Sequence, residues 1–370
     1  MTDITVIPGY KASVEYKLET EYGVPVLSTA AWPGAVKSIK ISDKPKPVTT
    51  TYLKAIGEGM RTVPYIHSNA IRELSLELDT VPQFIKESTM LESAFRLFGH
   101  AIGAQSTSSG SDLNCFGGAI PAGKYVNLGD DIESLTFNVA VGSTNDPGTN
   151  AQWYDFFTYM GCKCTDSTMS VNEDDVMDIT YTFQPCEVFG PSHGKKDDAT
   201  NDLYKTNHAP QPNPILDPVS YGDVSSFAYR SRPVCGTWSE WTDFTETGPV
   251  RSFTITVANN LHNVKDVGSI RSTRIVQAVI MKREMTISLQ VDYNAFALLP
   301  KIRAMHEFQI KFKVDQNICG SHQIVWFALA GIRFAEMPIN ITPEDIIGDK
   351  ITSLPITGFT MQETEPTVSA

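Results

Sequence analysis

The sequence predicts a mainly β protein, built as two tandem antiparallel β-sandwich or barrel domains, each with a flanking α-helix. Three observations predict this class: short segments with alternating apolar and polar residues, turn residues between them, and similar segments recurring in the same order on both sides of a proline-rich stretch. With 370 residues, of which 41% are hydrophobic and 19% charged, the chain has enough material for about two domains.

The proline-rich stretch divides the predicted domains. Residues 191–218 are polar, mixed in charge and without apolar periodicity, which is typical of a linker. The first domain is therefore predicted over residues 1–190 and the second over 219–370.

Two pairs of predicted strands support the repeat. Residues 71–85 alternate in the same way as residues 250–264, and the second of these runs stops at Asn259-Asn260. Residues 133–141 likewise match residues 283–291. The first unit is longer between its two strands, where residues 101–124 form a Gly/Ser-rich segment that predicts a loop.

The remaining elements follow from local pattern. Helices are predicted at 151–161 and 295–307, although Pro300 weakens the second. A further helix is expected near residues 90–98, because Thr89 and Glu92 have capping-box spacing and Gly99 supplies a stop. Closing strands are predicted at 177–183 in the first unit and at 325–334 and 353–359 in the second.

No pattern in the sequence assigns catalytic, cofactor-binding or metal-binding residues, so we expect a protein that is not an enzyme. The seven histidines are far apart and lack metal-site spacing. The six cysteines are scattered, which favours reduced, buried thiols, and Cys162 and Cys164 have no partner pair for a zinc site. The acidic clusters at 129–133 and 172–176 lack the spacing of a calcium loop, which favours solvated turns or a negatively charged rim.

Charge and hydropathy argue against two further classes, proteins that bind DNA tightly and proteins that span a membrane by a helix. The formal net charge is −12, with most of the excess in residues 1–190, and an acidic surface repels DNA because phosphate contacts require Lys and Arg. No window resembles a membrane helix, and the first residues lack the blocks of a signal peptide. We therefore expect a soluble protein assembled inside a cell.

Two tryptophans suggest carbohydrate binding. Trp238 and Trp241 lie three residues apart, and exposed tryptophans stack on sugar rings in carbohydrate-binding modules. Tryptophan is more often found in cores and subunit contacts, so sugar binding is kept as the alternative hypothesis.

Several segments resemble tail tube proteins, the major tail proteins of tailed bacterial and archaeal viruses. Residues 10–26 (YKASVEYKLETEYGVPV) are similar to the family's N-terminal stretch, and the polar residues 38–65 are similar to the long loop that follows it. Residues 250–261 resemble the strand ending at an Asn-rich turn, and residues 160–183 resemble the closing hairpin.

This resemblance implies a β-sandwich or barrel fold whose members form rings that stack into a hollow tail tube. Most members form hexameric rings from one domain, so two domains imply a trimer with pseudo-hexameric symmetry. The implied partners are other copies of the chain, the tape measure, tail terminator and baseplate proteins, and double-stranded DNA passing without specific binding. The implied location is the virion tail, after assembly in the host cytoplasm. The alternative is a carbohydrate- or receptor-binding protein of a baseplate or fibre, and a hydrolase on a β scaffold is a weaker third.

Overall fold

The structure is a computed structural model. It describes the following residues: 12–26, 33–56, 59–84, 95–103, 105–106, 123–127, 131–145, 152–195, 217–244, 249–265, 275–292, 298–318, 321–336 and 348–368.

Twenty β-strands and two helices make up most of the described chain, and the prediction of a mainly β, antiparallel protein is confirmed. The strands up to residue 195 are β1 Ala12–Leu18, β2 Ala35–Ile56, β3 Gly59–Val81, β4 Gln105–Ser106, β5 Gly123–Asn127, β6 Leu135–Asn145, β7 Gln152–Asn172, β8 Asp178–Gln184 and β9 Glu187–Lys195. The later strands are β10 Val224–Arg232, β11 Thr242–Asp243, β12 Val250–Ala258, β13 Leu261–Lys265, β14 Ile275–Ile280, β15 Glu284–Asp292, β16 Glu307–Ile318, β17 Ser321–Ile332, β18 Phe334–Glu336, β19 Gly348–Ser353 and β20 Gly358–Val368. The helices are α1 Phe95–Ile102 and α2 Leu299–Arg303.

One long sheet runs through both halves of the chain. Its strand order is β18-β19-β15-β12-β7-β8-β3-β2, and the contact between β12 and β7 joins the strands after residue 217 to those before residue 195. A second layer contains β1, β6, β9 and the first part of β7, together with the sheet β11-β10-β16-β17-β20-β5-β4. In that sheet β5 and β4 of the first half continue from β20 of the second half. Strands β13 and β14 form a separate hairpin.

The strand pairings of the first half recur in the second. The matching pairs are β1·β6 with β10·β16, β2·β3 with β12·β15, β3·β8 with β15·β19, β6·β7 with β16·β17, β7·β8 with β18·β19, and β7·β9 with β17·β20. In each half one helix lies between the third and fourth of these strands. The equivalent of β3 is therefore β15, and the equivalent of β6 is β16.

A bend with a left-handed glycine marks the same position in each half. Gly161 (φ 58°) lies where β7 passes from one layer to the other, and Gly331 (φ 70°) lies near the end of β17, just before β18. A Cβ at these positions would overlap the side chains of Cys186 and Thr357, respectively. Glycine is required at both bends because of this close approach and the positive φ.

The core lies between the two layers and is built by alternation. Along β12, Phe253, Ile255 and Val257 are buried, while Thr254 and Thr256 point to the other face. The strand ends at Ala258, as the sequence predicts from the Asn259-Asn260 turn. Period-two patterning therefore places one face of the long sheet in the core and leaves a polar face outside it.

The repeat alignment made from sequence is wrong in its details. It matched residues 71–85 with 250–264, and 133–141 with 283–291, whereas the pairings match β3 with β15 and β6 with β16. The error arises because all of these strands share the same alternation, which indicates a half-buried strand without saying which one.

Three helix predictions are corrected. Residues 152–161 lie in β7, where they pair with β6 and β9, and aromatic residues such as Phe157 and Tyr159 favour strands. The helix predicted to stop at Gly99 continues to Ile102. The helix predicted at 295–307 is shorter, and Pro300 lies in its first turn, where a missing N–H costs least.

Strand predictions are confirmed at 177–183 and for most of 325–334, but 353–359 contains the turn between β19 and β20. Residues 38–65 were predicted as a loop, whereas 38–56 and 59–65 belong to a long hairpin of β2 and β3. Proline is tolerated there because β2 is an edge strand with a bulge between Lys46 and Val48. Most of the loop at 101–124 and residues 196–216 of the linker lie outside the described residues, and β9 occupies the linker's first residues.

Candidate assembly surfaces

The outward face of the long sheet, called the polar face, consists mainly of Ser, Thr and charged residues. One row across six strands runs through Ser38, Asp79, Thr180, Thr168, Thr256 and Thr286. Among the described side chains of this face, the charged ones are Glu73, Glu77, Asp79, Asp166, Asp178 and Glu284, against Lys37, Lys40, Lys44 and Lys350. This face offers little positive charge to a polyanion.

A charge cluster lies near the β2 edge of the polar face. Lys37 is in contact with Asp178, and Lys40 Nζ lies 2.8 Å from Glu77 Oε2. The hydrogen bond to Asp178 raises the pKa of Lys37. Burial, together with repulsion by Asp178, raises the pKa of Asp79. The ionised form of Asp79 therefore carries a cost to the folded state.

Replacing Asp79 with asparagine is expected to stabilise the monomer at pH 7. A carboxyl with a raised folded-state pKa weakens folding above that pKa, and the penalty disappears at low pH, where both states are protonated. Denaturant unfolding should show a gain of up to about 0.5 kcal/mol at pH 7, and a smaller one at pH 4. A gain that grew on acidification would contradict the assignment.

The seam between β7 and β12 shows how two sets of strands are joined in this fold. The pairing runs from Ser252 opposite Asn172 to Ala258 opposite Asp166. The apolar side chains beneath it, among them Met169 and Ile255, are fully buried. The seam is therefore as well packed as the rest of the core.

The two end strands of the long sheet occupy, in the repeated pairing pattern, the positions of the two strands that form the seam. By the recurring pairings, β2 at one end corresponds to β12, and β18 at the other corresponds to the second part of β7. Ile41 faces Leu76 in the β2–β3 hairpin as Ile255 faces Ile287 in β12–β15. Ile41 is nevertheless 39% exposed, whereas Ile255 is 0% exposed. Within the described residues no strand pairs with the outer edge of β2.

Asn259 holds the seam at one end. Its Nδ2 donates to the carbonyls of Ala101 (3.0 Å) and Cys164 (2.9 Å), and its backbone N–H donates to Thr165 O at 2.7 Å. Arg283 donates from Nε to Asn259 Oδ1 at 2.8 Å. Asn259 is 0% exposed, so one side chain links the end of α1 to β7 and β12.

Glu19 lies in the segment that resembles the tail tube N-terminus and has a structural role. Its carboxylate accepts hydrogen bonds from Gly23 N (2.9 Å), Thr136 Oγ1 (2.8 Å) and Gly161 N (2.7 Å). These bonds fix the turn after β1 against the bend of β7. The sequence motif alone did not indicate this contact.

The two tryptophans of the alternative hypothesis come together with cations. Arg230 lies over both rings, at 5.1 Å from Trp238 and 4.8 Å from Trp241, and Lys311 lies 4.3 Å from Trp241. Arg232 adds a second cation at 4.5 Å from Trp238. Burial lowers the pKa of Lys311, and Arg230 lowers it further. Because cations already cover ring surface, this geometry does not favour stacking of a sugar on these rings.

The cysteines are placed as follows. Cys162, Cys164 and Cys186 are buried and not in disulfides, as predicted, and burial raises the pKa of Cys162 and Cys164. Cys235 differs because it is exposed in a turn. Among the described residues no group of three or more His, Cys, Asp or Glu side chains is arranged to hold a metal ion, and no helix is long and apolar enough to cross a membrane.

Comparison with known proteins decides the family. Residues 9–349 match the family of phage tail tube proteins, which covers nearly the whole chain. The chain belongs to this family. It is thus a structural protein of the phage tail, and the resemblance inferred from the sequence is confirmed. No curated protein matches the chain.

Proposed function

We propose that three copies of this tail tube protein close into a ring with pseudo-hexameric symmetry, and that stacked rings form the channel through which double-stranded DNA leaves. The two tandem tube domains are residues 1–190 and 219–370. The observation that carries the proposal is the β7–β12 seam, which already joins two topologically equivalent sets of four strands edge to edge.

The ends of the sheet support closure by the same contact. Strand β2 of one chain is equivalent to β12, and β18 of the next chain is equivalent to β7, so β2 and β18 can pair as β12 and β7 do. An open edge such as that of β2 otherwise invites uncontrolled association. Ring closure covers it in every subunit.

Channel size favours three chains. With strands about 4.8 Å apart, three eight-stranded sheets give a circumference of about 115 Å and a diameter of about 37 Å, which strand tilt increases. Two chains give only about 24 Å. Side chains occupy about 5 Å of each wall, so the two-chain ring leaves a free diameter of about 14 Å. This is little more than the roughly 12 Å width of the major groove alone, and a whole duplex is wider than its groove.

The polar face is the proposed channel wall. Its described basic side chains are few, and two of them, Lys37 and Lys40, are already paired with carboxylates. Little positive charge is therefore left for DNA phosphates to bind. DNA would pass it without the counterion-releasing contacts that produce binding. Ring stacking and contacts with the tape measure, terminator and baseplate proteins would follow assembly in the host cytoplasm.

Electron microscopy of the purified protein and of particles tests this proposal. Averages viewed down the ring axis are expected to show three-fold symmetry with six similar lobes. Rings of six or of two chains would contradict the trimer, and a protein that stays monomeric under every assembly condition would contradict the tube.

A further inference from the structure

The hairpin of β13 and β14 packs on the first half of the same chain. Leu261, Ile275 and Ala278 of this hairpin form an apolar cluster with three residues that we call the Tyr22 patch: Tyr22, Met160 and Cys186. Met160 is 2% exposed and Cys186 3%. The contact thus excludes water at the bend of β7.

The second half contains an equivalent of this patch. Cys186 donates its backbone N–H to Met160 O (2.8 Å), just before the left-handed glycine of β7. Thr357 donates in the same way to Ala330 O (3.2 Å), just before the left-handed glycine of β17. Ala330 and Thr357 therefore occupy the positions of Met160 and Cys186.

The third position is fixed by a turn. The turns after β1 and β10 each close with a backbone hydrogen bond between their first and fourth residues, at 3.1 and 3.0 Å. Each has its third residue, Gly23 or Cys235, at positive φ. Tyr22 and Val234 are the second residues of these turns. We call Val234, Ala330 and Thr357, with Leu354 three residues before Thr357 in the chain, the Val234 patch.

The two patches differ in exposure. Val234 is 66% exposed and Leu354 41% exposed, and Thr357 is also exposed. The hairpin of β13 and β14 covers the Tyr22 patch. Among the described residues, no hairpin of the same chain covers the Val234 patch in this way. A single exposed apolar side chain is ordinary on a protein surface. The contrast with the covered cluster at the equivalent position of the same fold is what points to a partner for the Val234 patch.

The missing partner is the equivalent hairpin. The β13–β14 hairpin continues β12 and β15, and its equivalent is the distal part of β2 and β3, residues 45–72. This part lies beyond Leu76, the last residue of β3 that pairs with β8, and its strands pair with each other as far as Ile56 and Gly59. Its arms, residues 45–56 and 59–72, each reach about 40 Å, which exceeds the width of about 19 Å of the four strands that one half contributes to the long sheet.

We propose that the Val234 patch is the docking site for residues 45–72 of a second copy of this chain in the same ring. The proposal rests on the proposed ring, because only a neighbour joined at β2 presents its hairpin as β12 presents β13 and β14. Each chain then contacts its neighbour at two places, once by strand pairing and once through the hairpin.

Photo-cross-linking tests the contact directly. A Leu354→benzoylphenylalanine chain would be assembled from an equal mixture of ¹⁴N- and ¹⁵N-labelled protein, with Met305→benzoylphenylalanine as control, because Met305 is also 41% exposed. The expected result is mixed-isotope cross-links from residue 354 to peptides within 45–72, and none from residue 305. Rings whose cross-links fall elsewhere would overturn the docking site and leave the ring intact.

A second variant measures the energetic contribution. Val234→Asp is expected to raise the protein concentration needed for assembly at least tenfold, about the value of one buried valine, while Met305→Asp leaves it unchanged. Both monomers should keep the wild-type melting temperature because both sites are exposed. An unchanged assembly concentration for Val234→Asp would overturn the docking site. Failure of the wild type to form rings would overturn the proposed function, and the docking site with it.

Discussion

Replacing Asn259 with leucine is expected to lower the free energy of unfolding by about 3–5 kcal/mol. Leucine has the same branching as asparagine but removes two donated hydrogen bonds and the acceptor of Arg283 Nε. The carbonyl of Cys164 then loses a partner in a buried site, and the part-buried guanidinium of Arg283 loses an acceptor. Leaving buried polar groups unpaired costs more than the bonds themselves contribute. Thermal and denaturant unfolding of the monomer measure the loss.

The adjacent asparagine supplies the control. Asn260 is exposed and has φ 40°, a conformation that glycine adopts without strain, so Asn260→Gly should change stability by less than about 0.5 kcal/mol. Equal losses from both variants would show that the turn itself, and not the Asn259 side chain, holds the seam. We also expect Asn259→Leu to weaken α1, because Asn259 and Arg283 hydrogen-bond the carbonyls of Ala101 and Ile102 at its end.

The sequence predicted the class of the fold because alternation is a local property. Each strand of the long sheet has one face in the core, so Phe253, Ile255 and Val257 signal a strand without any knowledge of its neighbours. Residues 151–161 were misassigned because a run of aromatic residues fits a helix face as well as a strand face. Only the sheet neighbours β6 and β9 distinguish the two.

The assembly surfaces could be predicted only in part. The Ser/Thr-rich polar face follows from alternation, but the β7–β12 seam joins residues about 85 positions apart, and no local pattern encodes that choice of neighbour. A better signal for the repeat was present in the segments around Gly161 and Gly331. Each glycine is followed two residues later by a basic residue, Lys163 or Arg333, at the bend of a long strand.

Replacing Ile41 with aspartate is expected to abolish tube formation and leave the monomer folded. At the open edge Ile41 is already 39% exposed, so a carboxylate there stays solvated in the monomer. In the proposed ring the same position corresponds to Ile255, which is fully buried in the seam, and an unpaired carboxylate in such a site costs several kcal/mol. Light scattering and electron microscopy should find only monomers at concentrations where the wild type assembles.

The seam inside the chain provides the matching experiment. Ile255→Asp places the same charge at the equivalent position of a contact already made, so it should destabilise the monomer itself by more than about 4 kcal/mol. Met305→Asp, with exposure close to that of Ile41, should affect neither folding nor assembly. Wild-type tubes from Ile41→Asp would mean that β2 is not a ring contact. The pair of isoleucines thus tests whether the intrachain seam and the proposed intersubunit seam are the same structure, because one substitution should act on folding and the other on assembly.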